Sequence, residues 1–278
     1  MSRSRSRPSC NDKRTCELPL GLERRGRLEK QAVFRDPGGA HRLRLMDLDL
    51  TQPRERVLSF ALACCLERLG SVRDPSPEVL HELALCDRHA LVRSLMLAAG
   101  TREIVVIATC AGCQQRFELT LDLSTVRLPQ FSAQRELTLT RQRKGRVERC
   151  TVRLPRPADM ENARDETSVL AACLGCQPRE ASGWLKAADR VLSQSDPLGN
   201  IKIVGRCPEC GQEVSTEYDL VGTWLKNLRR EAEEILREVH LLASRYHWSE
   251  KDVLSLSDPR RRAYCGLVDE TGAEGIGA

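Results

Sequence analysis

The chain has 278 residues, 41% of them hydrophobic and only 4% aromatic, with 44 Lys/Arg against 39 Asp/Glu. That length predicts one large or two small domains, with a core of aliphatic side chains rather than rings. No run approaches the roughly 18 apolar residues of a membrane span, and no apolar stretch follows the basic N-terminus. Neither a membrane nor a secreted protein is expected.

The net charge of +5 is unevenly spread. Residues 1–44 carry 12 Lys/Arg against 5 Asp/Glu, leaving 32 against 34 in the rest of the chain. The body therefore has no overall bias towards nucleic acid. Thirteen cysteines are an odd count in a long chain. This suits a reducing compartment, the cytoplasm, where paired cysteines bind metal rather than oxidise.

In chain order, residues 1–44 read as a disordered basic arm with no apolar period over 1–40. Residues 45–100 read as a helical module of three helices. The first runs from about Pro53 to Leu69, the second opens at Ser76-Pro77, and the third is capped by Asp87 and stopped by Gly100. Residues 101–219 read as an α/β body. The continuous β-branched run 103–109 predicts a buried strand, Cys110 to Cys113 a hairpin tip, and Phe117 to Leu123 the return. Residues 136–153 predict a second hairpin turning at Lys144-Gly145. Helices follow over Asp165 to Leu192, broken at Gln177-Pro178. Residues 220–268 form a C-terminal helical module: a long amphipathic helix over 220–246, a short helix opened by Ser249 and Asp252, and one from Asp258 to about Val268. Residues 269–278 read as a disordered tail.

An internal repeat with an offset of 97 underlies this order. Ile104 matches Ile201, Val106 matches Ile203, Cys110 and Cys113 match Cys207 and Cys210, and Asp122 and Leu123 match Asp219 and Leu220. A strand, a Cys-x-x-Cys tip and a strand are used twice. The expected fold class is thus α+β. It has an N-terminal helical module, two knuckle hairpins forming a split zinc ribbon, a middle hairpin, and a long C-terminal helix followed by two short ones.

Cys110, Cys113, Cys207 and Cys210 have zinc-knuckle spacing. Two intervening residues let both sulfurs of a pair face one point, and two such turns complete a tetrahedral sulfur set. Gly211 supplies the left-handed residue that the second turn wants; the first has Gln114 there. A structural Zn2+ is expected. Unliganded thiols and redox or catalytic use are the alternatives, but a redox Cys-x-x-Cys opens a helix and a catalytic zinc keeps one position open. Cys173 and Cys176 repeat the spacing inside a helical stretch and read as core cysteines. The five histidines form no ligand or catalytic pattern. Neither a phosphate-binding loop nor a nucleophile elbow is present, so the chain reads as a non-enzyme.

Three stretches resemble one family. They are Arg54 to Gly100 with Leu83-x-Leu-Cys-Asp-Arg-His-Ala-Leu91 before the first knuckle; Val152-Arg-Leu-Pro-Arg-Pro-Ala-Asp-Met160; and Asp196 to Tyr264. In the last, Glu238-Val-His-Leu-Leu-Ala-Ser-Arg-Tyr-His-Trp-Ser-Glu250 and Arg260-Arg-Arg-Ala-Tyr264 are the most specific. Over residues 50–268 the chain resembles the baseplate hub assembly proteins of T-even-type contractile-tailed phages and bacterial contractile injection systems. The resemblance implies a non-catalytic assembly factor or minor component of the baseplate hub, working in the bacterial cytoplasm or built into the particle. Hub or spike-associated proteins would be its partners. Trp224, Tyr246, Trp248 and Tyr264 are candidate anchors for such a partner, although Trp224 also fits an internal position. The competing expectation is a zinc-ribbon nucleic-acid-binding or regulatory protein using the basic arm and Arg260 to Arg262.

Overall fold

The computed structural model describes residues 14–35, 41, 43–49, 51–131 and 136–274. It is a mixed α+β protein of small antiparallel sheets and helices, ending in a long helix and two shorter ones.

Among the described residues the first strands are β1 (Thr15–Arg24) and β2 (Arg27–Phe34). This corrects the expectation of a disordered arm over 1–44; of that arm, residues 1–13, 36–40 and 42 lie outside the described residues. The signal was present as a period of two: Cys16, Leu18, Leu20 and Leu22 are all buried, as are Ala32 and Phe34 on the partner strand. Pro19 masked it. β1 is an edge strand, where a proline costs no ladder hydrogen bond. It also bulges there: five steps from Glu17 to Leu22 are matched by two steps along β2.

Helix α1 (Arg54–Cys65) ends four residues before the expected Leu69, and Leu66–Leu69 becomes β3, paired with β2. β4 (Val72–Arg73) completes the four-stranded sheet β1-β2-β3-β4. Helix α2 (Pro77–His81) starts behind Ser76 as expected. Helix α3 (Leu85–Ala98) starts behind Ala84, not behind Asp87.

Asp87 has a different task. It is fully buried, and its carboxylate accepts the backbone N–H groups of Leu20 (2.8 Å) and Gly21 (3.0 Å). These are the donors that the β1 bulge removes from the ladder, and burying them unpaired would cost about 1–3 kcal/mol each. Its neighbour Arg88, also fully buried, turns to the other side. It donates to Ser59 Oγ (2.8 Å), Leu80 O (2.9 Å) and Glu55 O (2.6 Å), and pairs with the Glu55 carboxylate at 3.1 Å. Two consecutive charged residues of α3 thus tie the sheet on one side and α1 and α2 on the other.

Strands β5 (Glu103–Thr109) and β6 (Arg116–Asp122) form the first knuckle hairpin, and β7 (Glu136–Arg143) with β8 (Arg146–Arg153) the middle one. Helices α4 (Pro157–Glu161), α5 (Glu166–Leu174), α6 (Pro178–Ala181) and α7 (Leu185–Ser195) follow, with the break at Gln177 as expected. Strands β9 (Ile201–Arg206) and β10 (Glu213–Tyr218) make the second knuckle hairpin. The last elements are α8 (Leu220–Tyr246), α9 (Glu250–Ser255), opened by the Ser249–Asp252 capping box, and α10 (Asp258–Glu274). α10 runs past the expected end at Val268, into the stretch read as a disordered tail; residues 275–278 lie outside the described residues.

The main core joins the N-terminal sheet, α1, α3, both knuckle hairpins and the start of α8, so it crosses the boundary expected at residue 100. A second core lies between the middle hairpin and α5–α7, around Leu139, Val152, Leu170 and Cys173. A third, around Ile235, Val239, Leu242 and Val253, holds α9 and α10 against α8. Among the described residues no helix is long and apolar enough to cross a membrane.

Burial pushes the Asp87 carboxyl from its ordinary 3.8 up to about 6, against the pull of the Leu20 and Gly21 N–H groups. A carboxyl with a folded-state pKa above its unfolded value lowers stability above pH 6, and this penalty disappears as pH falls below about 4. Wild type should therefore gain stability relative to Asp87→Asn as pH is lowered from 7 to 4, by at most about 3 kcal/mol. Chemical denaturation of both proteins across that range measures the difference. A constant difference would place the titration elsewhere.

Candidate metal centre

The two knuckles are built alike, bond for bond. In the first, Cys110 N–H donates to Gln115 O (2.9 Å) and Gln114 N–H to Cys110 O (2.9 Å). In the second, Cys207 N–H donates to Gln212 O (2.8 Å) and Gly211 N–H to Cys207 O (2.9 Å). The turn needs a left-handed residue after its second cysteine; Gly211 has φ +72° and Gln114 is held at φ +62°. Even the exits match. Asp122 accepts from Ser124 N–H to open a 3-10 turn, and Asp219 accepts from Gly222 N–H to open α8.

The hairpins meet through their inner faces, where Ile104, Ala108 and Leu119 pack with Ile201 and Ile203 in the main core. Gly205 belongs to this contact, since a Cβ there would stand 2.3 Å from Leu119 Cδ2. The continuous run 103–109, expected as a buried strand, is therefore buried on one face only. Val105 and Ile107 on the outer face are 52% and 61% exposed.

This packing brings all four predicted ligands together. The sulfurs of Cys110, Cys113, Cys207 and Cys210 lie within 4.8 Å of one another, and the shortest approaches, Cys110 to Cys210 and Cys113 to Cys207, are 3.5 Å across the two hairpins. Tetrahedral metal–sulfur bonds of about 2.3 Å would set sulfurs about 3.8 Å apart. The cluster can hold a metal ion. Cys110 and Cys207 are buried, while Cys113 and Cys210 are exposed.

The surroundings favour thiolate at one position and disfavour four together. The Cys113 N–H, against some burial, draws the Cys110 thiol down to about 7. At Cys113 the Gln115 N–H also favours the thiolate, but the neighbouring thiols, Cys207 first, push it up to about 12. Four thiolates at this spacing repel one another unless a cation lies between them. Gln212 of the second knuckle reaches across the first, with Oε1 3.8 Å from Cys110 Sγ. Gly112 leaves it room: a Cβ there would lie 2.2 Å from that oxygen.

The other candidates from the sequence are placed differently. Cys173 is buried in the second core, and Cys176 packs against it. Trp224 is 5% exposed in the main core. Tyr246, Trp248 and Tyr264 form an intramolecular cluster, with Tyr246 stacked on Trp248 (4.9 Å) and Tyr264 edge-on to Trp248 (5.0 Å). Arg261 is buried between Glu238 (2.5 Å) and Asp258 (3.1 Å), so Arg260 to Arg262 do not form a free basic cluster.

Two arrangements were not legible in the sequence. Ser59 Oγ lies 3.1 Å from His81 Nδ1, and His81 Nε2 lies 3.5 Å from Glu161. The composition is that of a nucleophile relay, but Ser59 is 2% exposed, donates to Glu55 O and accepts from Arg88. Burial holds the His81 imidazole below its usual range. The trio completes the Arg88 network. The second is a cleft of about 600 Å³ between the N-terminal sheet, α3, α8 and α10. Phe34, Met96 and Trp224 line it, and guanidinium and carboxylate groups line it in nearly equal number.

The forced left-handed conformation at Gln114 generates a prediction. Gln114→Gly should stabilise the protein, because a side chain in this region costs roughly 1–2 kcal/mol that glycine avoids; greater unfolded-state freedom offsets part of this. Thermal melts should show a small rise. A fall would mean that the Gln114 side-chain bond to Ala111 O (3.2 Å) outweighs the strain.

Neither a protein-family model, nor a curated protein, nor a solved structure matches this chain.

Proposed function

We propose that the four cysteines bind one Zn2+ in a structural role, and that the chain is a non-catalytic assembly factor or minor component of the baseplate hub of a contractile injection particle. The observation that carries the first part is the convergence of four sulfurs from two hairpins at near-tetrahedral spacing. A complete set of four thiolates suits zinc and leaves no position for a reacting water. Bound there, Zn2+ would neutralise the thiolates and cross-link the two halves of a split ribbon.

The assembly reading is supported by the sequence resemblance over residues 50–268. The exposed Val105 and Ile107 on one knuckle hairpin and Val204 (57%) on the other also suit a protein partner better than a polyanion. The nucleic-acid alternative has lost Arg261 to an internal ion pair.

Protein purified without oxygen should contain one zinc per chain by metal analysis; no metal, or iron in its place, would overturn the zinc assignment. Structural zinc contributes on the order of 10 kcal/mol in small zinc peptides. Cys207→Ser should therefore unfold or aggregate the protein. Cys173→Ser should cost only about 1–3 kcal/mol, that of a buried hydroxyl. Equal melting temperatures for wild type and Cys207→Ser would count against the structural role.

Deleting the gene should leave tubes or sheaths without finished baseplates, seen by electron microscopy. Firing-competent particles at normal yield would refute the assembly role. A gel shift at low and moderate salt tests the nucleic-acid alternative directly.

A further inference from the structure

The middle hairpin ends in a concentration of unneutralised positive charge. Residues 141–149 read Arg-Gln-Arg-Lys-Gly-Arg-Val-Glu-Arg, five cations and one carboxylate. Arg141 and Glu148 use each other, at 2.6 Å. Arg143, Lys144, Arg146 and Arg149 are exposed and, among the described residues, form no ion pair.

The placement of these charges works against the hairpin itself. Arg143 and Arg146 are direct cross-strand partners flanking the two-residue turn Lys144-Gly145. Like charges directly opposite on a two-stranded ribbon are destabilising, and folding would be better served by an acid at either position. The tip is nevertheless held firmly at its base. Leu139 and Val152 are buried in the second core, and Arg141 stacks on the Trp184 ring at 4.0 Å while pairing with Glu148. A packed stem thus presents Arg143, Lys144 and Arg146 to solvent at the hairpin tip, with Arg149 exposed three residues further along the return strand.

We propose that this tip docks an acidic segment of a protein partner, one presenting several Asp or Glu carboxylates close together. A guanidinium recognises a carboxylate through two parallel N–H···O bonds. The cation cluster is local, whereas residues 45–278 as a whole hold 32 basic against 34 acidic residues. A nucleic-acid duplex needs a basic surface that follows its backbone; a short acidic segment needs only the tip. The proposal extends the assembly reading by naming one contact, and its test is made in solution without reference to particles.

The full chain is titrated with a fluorescein-labelled oligoglutamate peptide at low and physiological salt, and in parallel with a labelled DNA duplex. The peptide should bind, weaken with salt, and bind more tightly than the duplex. Arg146→Glu should weaken peptide binding at least about tenfold while leaving the melting temperature unchanged or raised, because it replaces a like-charge pair by an opposite one. Arg73→Glu, an exposed change in the N-terminal sheet, should leave binding unchanged. The proposal is overturned if wild type does not bind the peptide, if it prefers the duplex, if Arg73→Glu weakens binding as much as Arg146→Glu does, or if Arg146→Glu keeps its affinity. A lower melting temperature for Arg146→Glu would show the tip cations to be structural and overturn it too.

Discussion

Two short turns, 97 residues apart in sequence, place four sulfurs within reach of one another, and the inner faces of the hairpins that carry them join the main core. The hairpins carrying them are two-stranded, and isolated two-stranded hairpins are marginal in water. Each is stabilised by packing its inner face on the other. Between them the chain must leave, build the middle hairpin and four helices, and return. Closing a loop of that length costs about 4 kcal/mol in chain entropy beyond a constant. A metal held by both turns would oppose that cost at the point where the loop closes.

The second constraint is the pair Asp87–Arg88. Helix positions one residue apart point in different directions, so neighbouring charges can serve different partners. Asp87 takes the two N–H groups that the β1 bulge leaves over, and Arg88 takes carbonyls from α1 and α2. Removing either set of partners would leave a buried charge unpaired, which is strongly destabilising.

The exposed features have another character. The apolar outer faces of the knuckle hairpins and the cationic tip of the middle hairpin do not help the chain to fold. They sit on short hydrogen-bonded ribbons rather than on loops, and a pre-organised surface loses less entropy when a partner covers it. The three aromatics Tyr246, Trp248 and Tyr264 stack on one another; Trp248 and Tyr264 pack against the third core, while Tyr246 stays exposed.

What the sequence determined by itself was everything written in local period and turn chemistry. The Cys-x-x-Cys repeat, the Lys144-Gly145 turn, the break at Gln177, the Ser249–Asp252 box and helix 220–246 all follow from side chains within a few residues of one another. So did the identity of the four clustered cysteines, because an internal repeat shows which pairs belong together. The tertiary structure decided the rest. The bulge around Pro19 that interrupts the period of residues 15–34 is accommodated by Asp87 of α3, and Leu66 leaves its helix because β2 offers a ladder. Arg261 disappears into the fold because Glu238, 23 residues away, completes its environment. Local propensity is a weak bias, and contacts between distant segments override it wherever a buried N–H, charge or apolar face must find its partner.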